Sequence, residues 1–162
     1  MRRPPMTARK HQPLLIRPAL PDECEALSAL AQESKAHWGY DDNFMNLCSD
    51  ELKVTPAKLA RFRMRVAQAG REIAGFSATR YEDGAADVEE FFVAPRYIGT
   101  GIGHRLMQDM LDHARRHGVH HVRVEADPNA TGFYEREGFS ICGEAPSGSI
   151  PGRKLPLMRR EI

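Results

Sequence analysis

Apolar and polar positions alternate with period two through ARFRMRVA, where Phe62, Met64 and Val66 interleave with Arg61, Arg63 and Arg65. Successive side chains of a strand point to opposite faces, so this stretch predicts a half-buried strand. Ala69 and Gly70 supply a hairpin turn, and EIAGFSATRY predicts the next strand. EDGAA turns again, DVEEFFV predicts a third strand, and Pro95 ends it. Upstream, LLIRPA (14–19) predicts a short strand. Pro21 and Asp22 open a helix with Ala26, Leu27, Leu30 and Ala31 on one face. A short helix is expected over 43–48, and Pro56 marks a turn.

Downstream the period changes. Ile102, Leu106, Met110, Leu111 and Ala114 share one helical stripe running to about His117, with Gly118 as its C-cap. VHHVRVEA (119–126) predicts a strand, and 129–137 a short helix stopped by Gly138. FSICGEA and RKLPLMRREI predict two closing strands around the loop PSGSIPG, with Cys142 buried in the first. No repeat and no second domain are visible. The sum is an α+β domain over 14–162, with a mostly antiparallel sheet and one strand–helix–strand crossover. Residues 1–13, MRRPPMTARKHQP, are expected to form a flexible basic tail without the apolar core of a secretion signal, and Met6 is a second candidate start.

Composition narrows the field. The chain has 162 residues, 41% hydrophobic and 28% charged, which suits one domain with a sizeable core. A net charge of +1 gives no general electrostatic case for nucleic acid or a membrane surface. No apolar run approaches the ~20 residues of a membrane span. Three widely spaced cysteines, Cys24, Cys48 and Cys142, suit reduced thiols and a cytoplasmic setting better than a disulfide frame.

The chemistry starts at VEEFFVAPRYIGTGIGHRLM (88–107), where Gly99, Gly101 and Gly103 alternate between a strand and an amphipathic helix. Backbone N–H groups at a helix start lack partners, and the helix dipole favours an anion there. Glycine lets a phosphate approach the main chain closely. The functional reading is a phosphate cradle; the structural alternative is a tight, glycine-capped turn. A Walker loop needs GK[ST], but Gly103 is followed by His104 and Arg105. A dinucleotide fingerprint needs GxGxxG, which GTGIG does not supply.

The stretch resembles the acyl-CoA motif of the GNAT superfamily of N-acetyltransferases. Val93 and Pro95 match its strand end, and Gly101 and Gly103 its [QR]-x-x-G-x-[GA] loop. Ile98 stands where the family usually has Gln or Arg; an offset frame would use Arg96, Gly99 and Gly101 instead. EADPNATGFYEREGF (125–139) carries the second motif: Asp127, Ala130, Tyr134, Gly138 and Phe139 fall on family positions. Asp127 replaces the usual Asn, and Asn129 is a candidate substitute. The resemblance implies a GNAT fold, with a central mixed, mostly antiparallel sheet of six to seven strands and about four helices. It implies acetyl-CoA as cofactor, coenzyme A as product and no metal. The cofactor would be held by Phe92, Val93, Ile98, Gly99, Thr100 and Gly101. Ile102, Gly103 and His104 would continue that contact at the helix start, and Asp127, Asn129, Ala130 and Tyr134 would complete it. The acyl-pantetheine would fill a gap between two splayed strands.

Aminolysis of a thioester needs a neutral amine, a stabilised oxyanion and a protonated leaving thiolate. The resemblance gives the acid role to Tyr134, against the plainer reading of a packed tyrosine. Glu89 and Glu90 lie on the strand ahead of Val93, where the family often places a base. Strand parity puts Asp87, Glu89, Phe91 and Val93 on one side unless a bulge intervenes, so Glu89 is preferred and Glu90 second. The plainer alternative leaves both solvated or pairs them with Arg61, Arg63 and Arg65.

The acceptor pocket is expected around Lys35, His37, Trp38 and Tyr40, with Ser147, Ser149 and Arg153 facing it from the last loop. His113 and His117 have i, i+4 spacing but no third metal ligand, and read as a solvated basic face. The expectation is acetyl transfer by direct attack of a primary amine, on a small molecule first and a peptide or protein second; no acidic patch favouring a basic peptide is visible. A non-catalytic acyl-CoA sensor is the alternative from another class. A homodimer is a family-level expectation, with no nucleic-acid or membrane partner.

Overall fold

The computed structural model describes residues 13–162, so the expected tail lies outside the described residues apart from Pro13. Seven strands form one sheet: β1 (Leu14–Pro18), β2 (Arg63–Ala69), β3 (Glu72–Glu82), β4 (Ala85–Val93), β5 (His121–Glu125), β6 (Ser140–Pro146) and β7 (Lys154–Glu161). Their order is β1-β2-β3-β4-β5-β7-β6, and only the β4–β5 pair is parallel. The helices are α1 (Cys24–Ala36), α2 (Asp42–Leu52), α3 (Pro56–Arg61), α4 (Ile102–Arg116) and α5 (Thr131–Arg136). Among the described residues no helix is long and apolar enough to cross a membrane.

Each face of the sheet has its own core. Met64, Val66, Phe76 and Ala78 pack on one side with Leu27, Leu30 and Ala31 of α1 and Leu52 of α2. The other face packs Ala86, Val88, Val122 and Val124 against Met107, Met110, Leu111 and Ala114 of α4. The α4 stripe read from the sequence is therefore its buried face. The arginines of β2 are not left in water: Arg63 and Arg65 reach Asp109 of α4, each at 3.2 Å.

Three expectations are corrected. Pro56 opens a helix, α3, rather than a turn; Thr55 Oγ1 accepts from Lys58 N at 3.2 Å, and proline suits a first-turn position that needs no donor. Cys142 is exposed, because β6 is an edge strand whose residues from Ser140 to Glu144 are all exposed. Parity also breaks in β4. Ala78 pairs with Glu90 while Thr79 pairs with Val88, so Glu89 is an extra residue, a β-bulge.

The bulge shapes the functional region. Pairing between β4 and β5 ends at Val88↔Val124. Bulges bend a strand and raise its twist. Beyond it, β4 keeps its β3 partner to Val93↔Gly75 but leaves β5, opening a seam in the middle of the sheet. Gly75 permits this close β3–β4 approach, since a Cβ there would meet Phe92 O at 2.7 Å.

Candidate active site

The seam widens into a cleft of about 870 Å³. One end is built from main chain. The N–H groups of Ile102, Gly103 and His104 have no backbone acceptor; the first bond of α4 runs from Arg105 N to Gly101 O at 3.1 Å. The α4 helix thus presents free donors and the positive end of its dipole to the cleft. The glycines have different jobs. Gly99 and Gly101 take φ of +79° and +88°, which strains any residue with a Cβ. Gly103 is needed for space, because a Cβ there would lie 3.0 Å from Phe133 Cε2.

Ile98, Gly99, Gly101, Ile102, Gly103 and His104 line this end, as do Phe92 and Val93. Thr100 does not; its hydroxyl donates to Tyr97 O. Arg96 pairs with Glu72 at 3.5 Å and lies over the Tyr97 ring, so the offset frame brings no cation into the cleft. Ile98 stays 45% exposed. The loop therefore relies on backbone donors. His104 Nδ1 meets Glu137 Oε1 at 2.8 Å.

Tyr134 lies across the seam within α5, with its ring at edge angles to Phe91, Phe133 and Phe139. Burial, and secondarily the nearby Asp127 charge, push its phenol well above the ordinary range. It stays protonated and lines the cleft. Asn129 and Ala130 line it beside Tyr134.

The other end is built from side chains. Because of the bulge, Glu89 and Glu90 share the face turned toward α1–α3. Glu89 is exposed and ion-paired with Arg80 Nε at 3.2 Å. Arg80 also meets Asp87 at 3.1 Å, and Asp87 in turn holds Arg123 at 2.8 Å. Glu90 is only 7% exposed. Its Oε1 accepts from Lys58 Nζ of α3 at 2.8 Å, and its Oε2 is buried without a partner. Burial raises the Glu90 pKa, and Lys58 offsets this only in part. Neither glutamate pairs with the β2 arginines; Arg63 and Arg65 serve Asp109 on the opposite face, and Arg61 lies over Phe62.

Above this wall lies a polar hub. Tyr40 Oη donates to Asp127 Oδ2 at 2.9 Å and accepts from Arg153 Nη2 at 2.8 Å and Asn129 Nδ2 at 3.0 Å. Lys35 Nζ meets Asp127 at 3.1 Å. The Tyr40 and Phe44 rings stack at 3.9 Å, with Lys35 and Arg153 within cation–π range of both. Burial alone would raise the Asp127 pKa, but the Asn129 N–H, Lys35 and the Tyr40 hydroxyl lower it overall. The Asp127 carboxylate is thus committed to the hub. Lys35, Trp38, Ser147, Ser149 and Arg153 line the cleft. His37 and Tyr40 do not: His37 is exposed with its ring against Trp38, and Tyr40 supports the lining through Asp127 and Arg153.

Sequence reasoning missed Glu51, Glu125, Lys58, Arg80, Asp87 and Arg123, which no local pattern assembles. The Thr55-Pro56 cap is the one signal that announced α3, and with it Lys58. His113 is not a solvated histidine: it stacks on His117 at 3.9 Å and packs on Tyr81. Burial and neighbouring cations lower its pKa to about 4. No group of three or more His, Cys, Asp or Glu among the described residues is placed to hold a metal.

A sheet split between parallel strands, with a glycine-capped helix at the split, defines an acyl-CoA-type acyltransferase fold. The family described as "Acetyltransferase (GNAT) domain" matches residues 30–147, and the chain belongs to it. The 5-NmdU N-acetyltransferase of Pseudomonas phage PaMx11 is 27% identical over 148 residues, covering 90% of this chain and 98% of that protein. Streptothricin acetyltransferase of Streptomyces lavendulae is 38% identical over 77 residues, but the match spans only 44% of this chain and 41% of that relative. Among solved structures, a PaiA N-acetyltransferase of Thermoplasma acidophilum in complex with coenzyme A superposes with a TM-score of 0.79 at 19% identity, over 93% of this chain and 99% of that one.

Proposed function

We propose that the protein transfers an acetyl group from acetyl-CoA to a primary amine of a small molecule, by direct attack. The observation that carries this reading is the convergence, on one cleft, of the free N–H groups of α4, the open β4 edge, the Tyr134 phenol and the unpartnered oxygen of Glu90. These features fit the cofactor, which when bound supplies an activated acyl thioester. The N–H groups of Ile102, Gly103 and His104 suit its pyrophosphate, and Arg136 lines the same cleft as a further cation. The β4 edge past Val88, left by β5, suits the amide-rich pantetheine arm, and in this reading the main chain near Val93 polarises the acyl carbonyl.

Glu90 takes the proton of the incoming ammonium. The bulge removes the parity argument for Glu89, and two features favour Glu90: a buried oxygen without a partner on a residue that lines the cleft, and a pKa raised by burial. Glu89, engaged by Arg80, shapes the wall beside it. Tyr134 is the proton donor to the leaving thiolate; burial keeps its phenol protonated beforehand but also makes it a weaker acid than a thiol of pKa about 8.5, so the transfer depends on the thiolate forming beside it. A small acceptor suits the cleft better than a peptide. Arg153 and Tyr40 tie the β6–β7 loop to the α1–α2 loop, and Ser149 Oγ lies 3.4 Å from Cys48 Sγ of α2, so the channel a peptide would follow is bridged.

Thiol release from acetyl-CoA across a panel of amines tests the reading. Tyr134→Phe is expected to keep thermal stabilisation by acetyl-CoA and to lose about 10²-fold in thiol release. Binding without release by any amine would mark the domain as a sensor instead. Stabilisation by ATP but not by acetyl-CoA would overturn the reading.

A further inference from the structure

The acceptor end of the cleft holds more negative charge than the reaction needs. Glu51 of α2, Asp87, Glu89 and Glu90 of β4 and Glu125 of β5 line it together. Arg80, Arg123 and Lys58 answer them, while Lys35 and Arg153 of the same end are held at Asp127, so each of these cations is already engaged. Arg123 is bidentate on Asp87, Arg80 spans Asp87 and Glu89, and Lys58 covers one oxygen of Glu90. Glu51 and Glu125 have no ion-pair partner among the described residues. The second oxygen of Glu90 is unpartnered in a side chain that is 7% exposed. A buried carboxylate oxygen without a donor is costly, so its place in the fold points to a donor that arrives with the ligand.

The carboxylates feel one another. Burial raises the Glu125 pKa, and the charges of Glu89, Glu51 and Asp87 raise it further. Glu89 and Glu51 act in the same direction on Glu90. Like charges gathered in a concave site focus a negative field on whatever enters it. One ammonium, deprotonated for attack, would leave that field unanswered. Apolar groups line the same cleft: Leu52, Leu157 and the 42% exposed Trp38. Carboxylates among apolar groups fit a methylene stem with a cation at each end, and an indole face adds cation–π attraction.

We infer that the acceptor is a dication, an amine whose second nitrogen stays protonated and is held by Glu51 and Glu125 while the first reacts beside Glu90. This rests on the acetyl-transfer reading and names the substrate class for it. The acetyl group passes from the thioester sulfur to the reacting nitrogen: that ammonium loses one proton to Glu90 before attack, the leaving thiolate takes the Tyr134 proton, and the second proton shed by the reacting nitrogen restores the phenol; the far nitrogen undergoes no chemistry.

The test compares three acceptors with nearly the same stem: 1,4-diaminobutane, n-butylamine and 4-aminobutyrate. They carry a positive, neutral and negative far end. The expected order of kcat/KM is diamine, then monoamine, then amino acid, with a step of about tenfold between the first two. The double variant Glu51→Gln/Glu125→Gln is expected to shrink the diamine-to-monoamine ratio about fivefold. Both positions are exposed, so these isosteric changes leave the fold intact. Raising salt from about 0.05 to about 0.3 M shrinks the same ratio in the parent protein. Equal efficiency for diamine and monoamine, or preference for 4-aminobutyrate, overturns the inference and leaves acetyl transfer standing. Failure of the diamine to release thiol overturns it whatever the others do. The acetyl-transfer reading falls as well only if a wider amine panel is also silent and acetyl-CoA does not raise the melting temperature.

Discussion

The two ends of the cleft are built by different means. The α4 end is main chain: three alternating glycines, a helix start and an unpaired strand edge, contributed by residues from Val93 to His104. The other end is side chain: Lys35, Tyr40, Asp127 and Arg153 meet across sequence separations of 87 to 113 residues. A main-chain site can hold only what every member of a family shares, the phosphates and amides of a common cofactor. A side-chain site can differ from chain to chain.

The largest expected effect lies at the junction of the two ends. Glu90→Gln keeps the shape of the side chain and removes the proposed base. It is expected to lower kcat/KM by about 10²–10⁴-fold without changing stabilisation by acetyl-CoA. In the parent protein the acid limb of kcat/KM should lie above the ordinary carboxylate range, because burial raises the Glu90 pKa. That limb should vanish in the variant. If Glu89→Gln removes it instead, the two carboxylates exchange roles.

Next comes a break at the main-chain end alone. Gly101 sits at φ +88°, where a side chain costs about 1–2 kcal/mol and a β-branched one more. Gly101→Val is expected to raise the KM for acetyl-CoA about tenfold. The amine preference should not move, since nothing lies within 4 Å of where a Cβ at Gly101 would stand. A change in amine selectivity would show that the two ends are not separable.

The same division explains what the sequence reveals. The strands around Met64 and Val66 and the α4 stripe are legible because period two and period 3.6 are local. The glycine loop is legible because its chemistry lies within a few consecutive residues. The bulge is not: nothing in VEEFFV marks Glu89 as the extra residue, and one inserted residue reverses a parity argument. Six-residue α3 is too short to show a helical period, although it delivers Lys58 to Glu90. The exposure of Cys142 follows from the edge position of β6, and strand order is a property of the sheet rather than the segment. The carboxylates of the acid wall come from α2, β4 and β5, and only the assembled sheet brings them together.

A smaller effect is expected from the hub. Tyr40→Phe keeps the stack on Phe44 but removes the hydroxyl shared by Asp127, Arg153 and Asn129. Loss of partners for a half-buried network costs about 1–3 kcal/mol of stability. The KM for the amine should rise about threefold to tenfold, because the tie between the two acceptor loops is cut. The KM for acetyl-CoA should stay close to that of the parent. A matching rise in both would make Tyr40 a general packing residue.

The finest test concerns Lys58, which touches Glu90 and no part of the main-chain end. Its charge and hydrogen bond lower the Glu90 pKa against the upward push of burial. Lys58→Met removes that opposition, so the acid limb of kcat/KM moves to higher pH while the plateau above it falls little. Stability follows the same proton. Glu90 already has a folded-state pKa above its unfolded value, so protonation favours the fold. The stability that this contributes is fully present below the unfolded pKa and is lost as pH rises through the folded one. Without Lys58 the folded value climbs further and the window widens upward. The variant should therefore be weakest against the parent near neutral pH, where a buried charge stands without its partner. The deficit should close as the solution is made acid and Glu90 takes up its proton in both proteins. Unfolding by urea at a series of pH values would show this, and a deficit that stayed constant with pH would mean that Lys58 contributes through its stem rather than its charge.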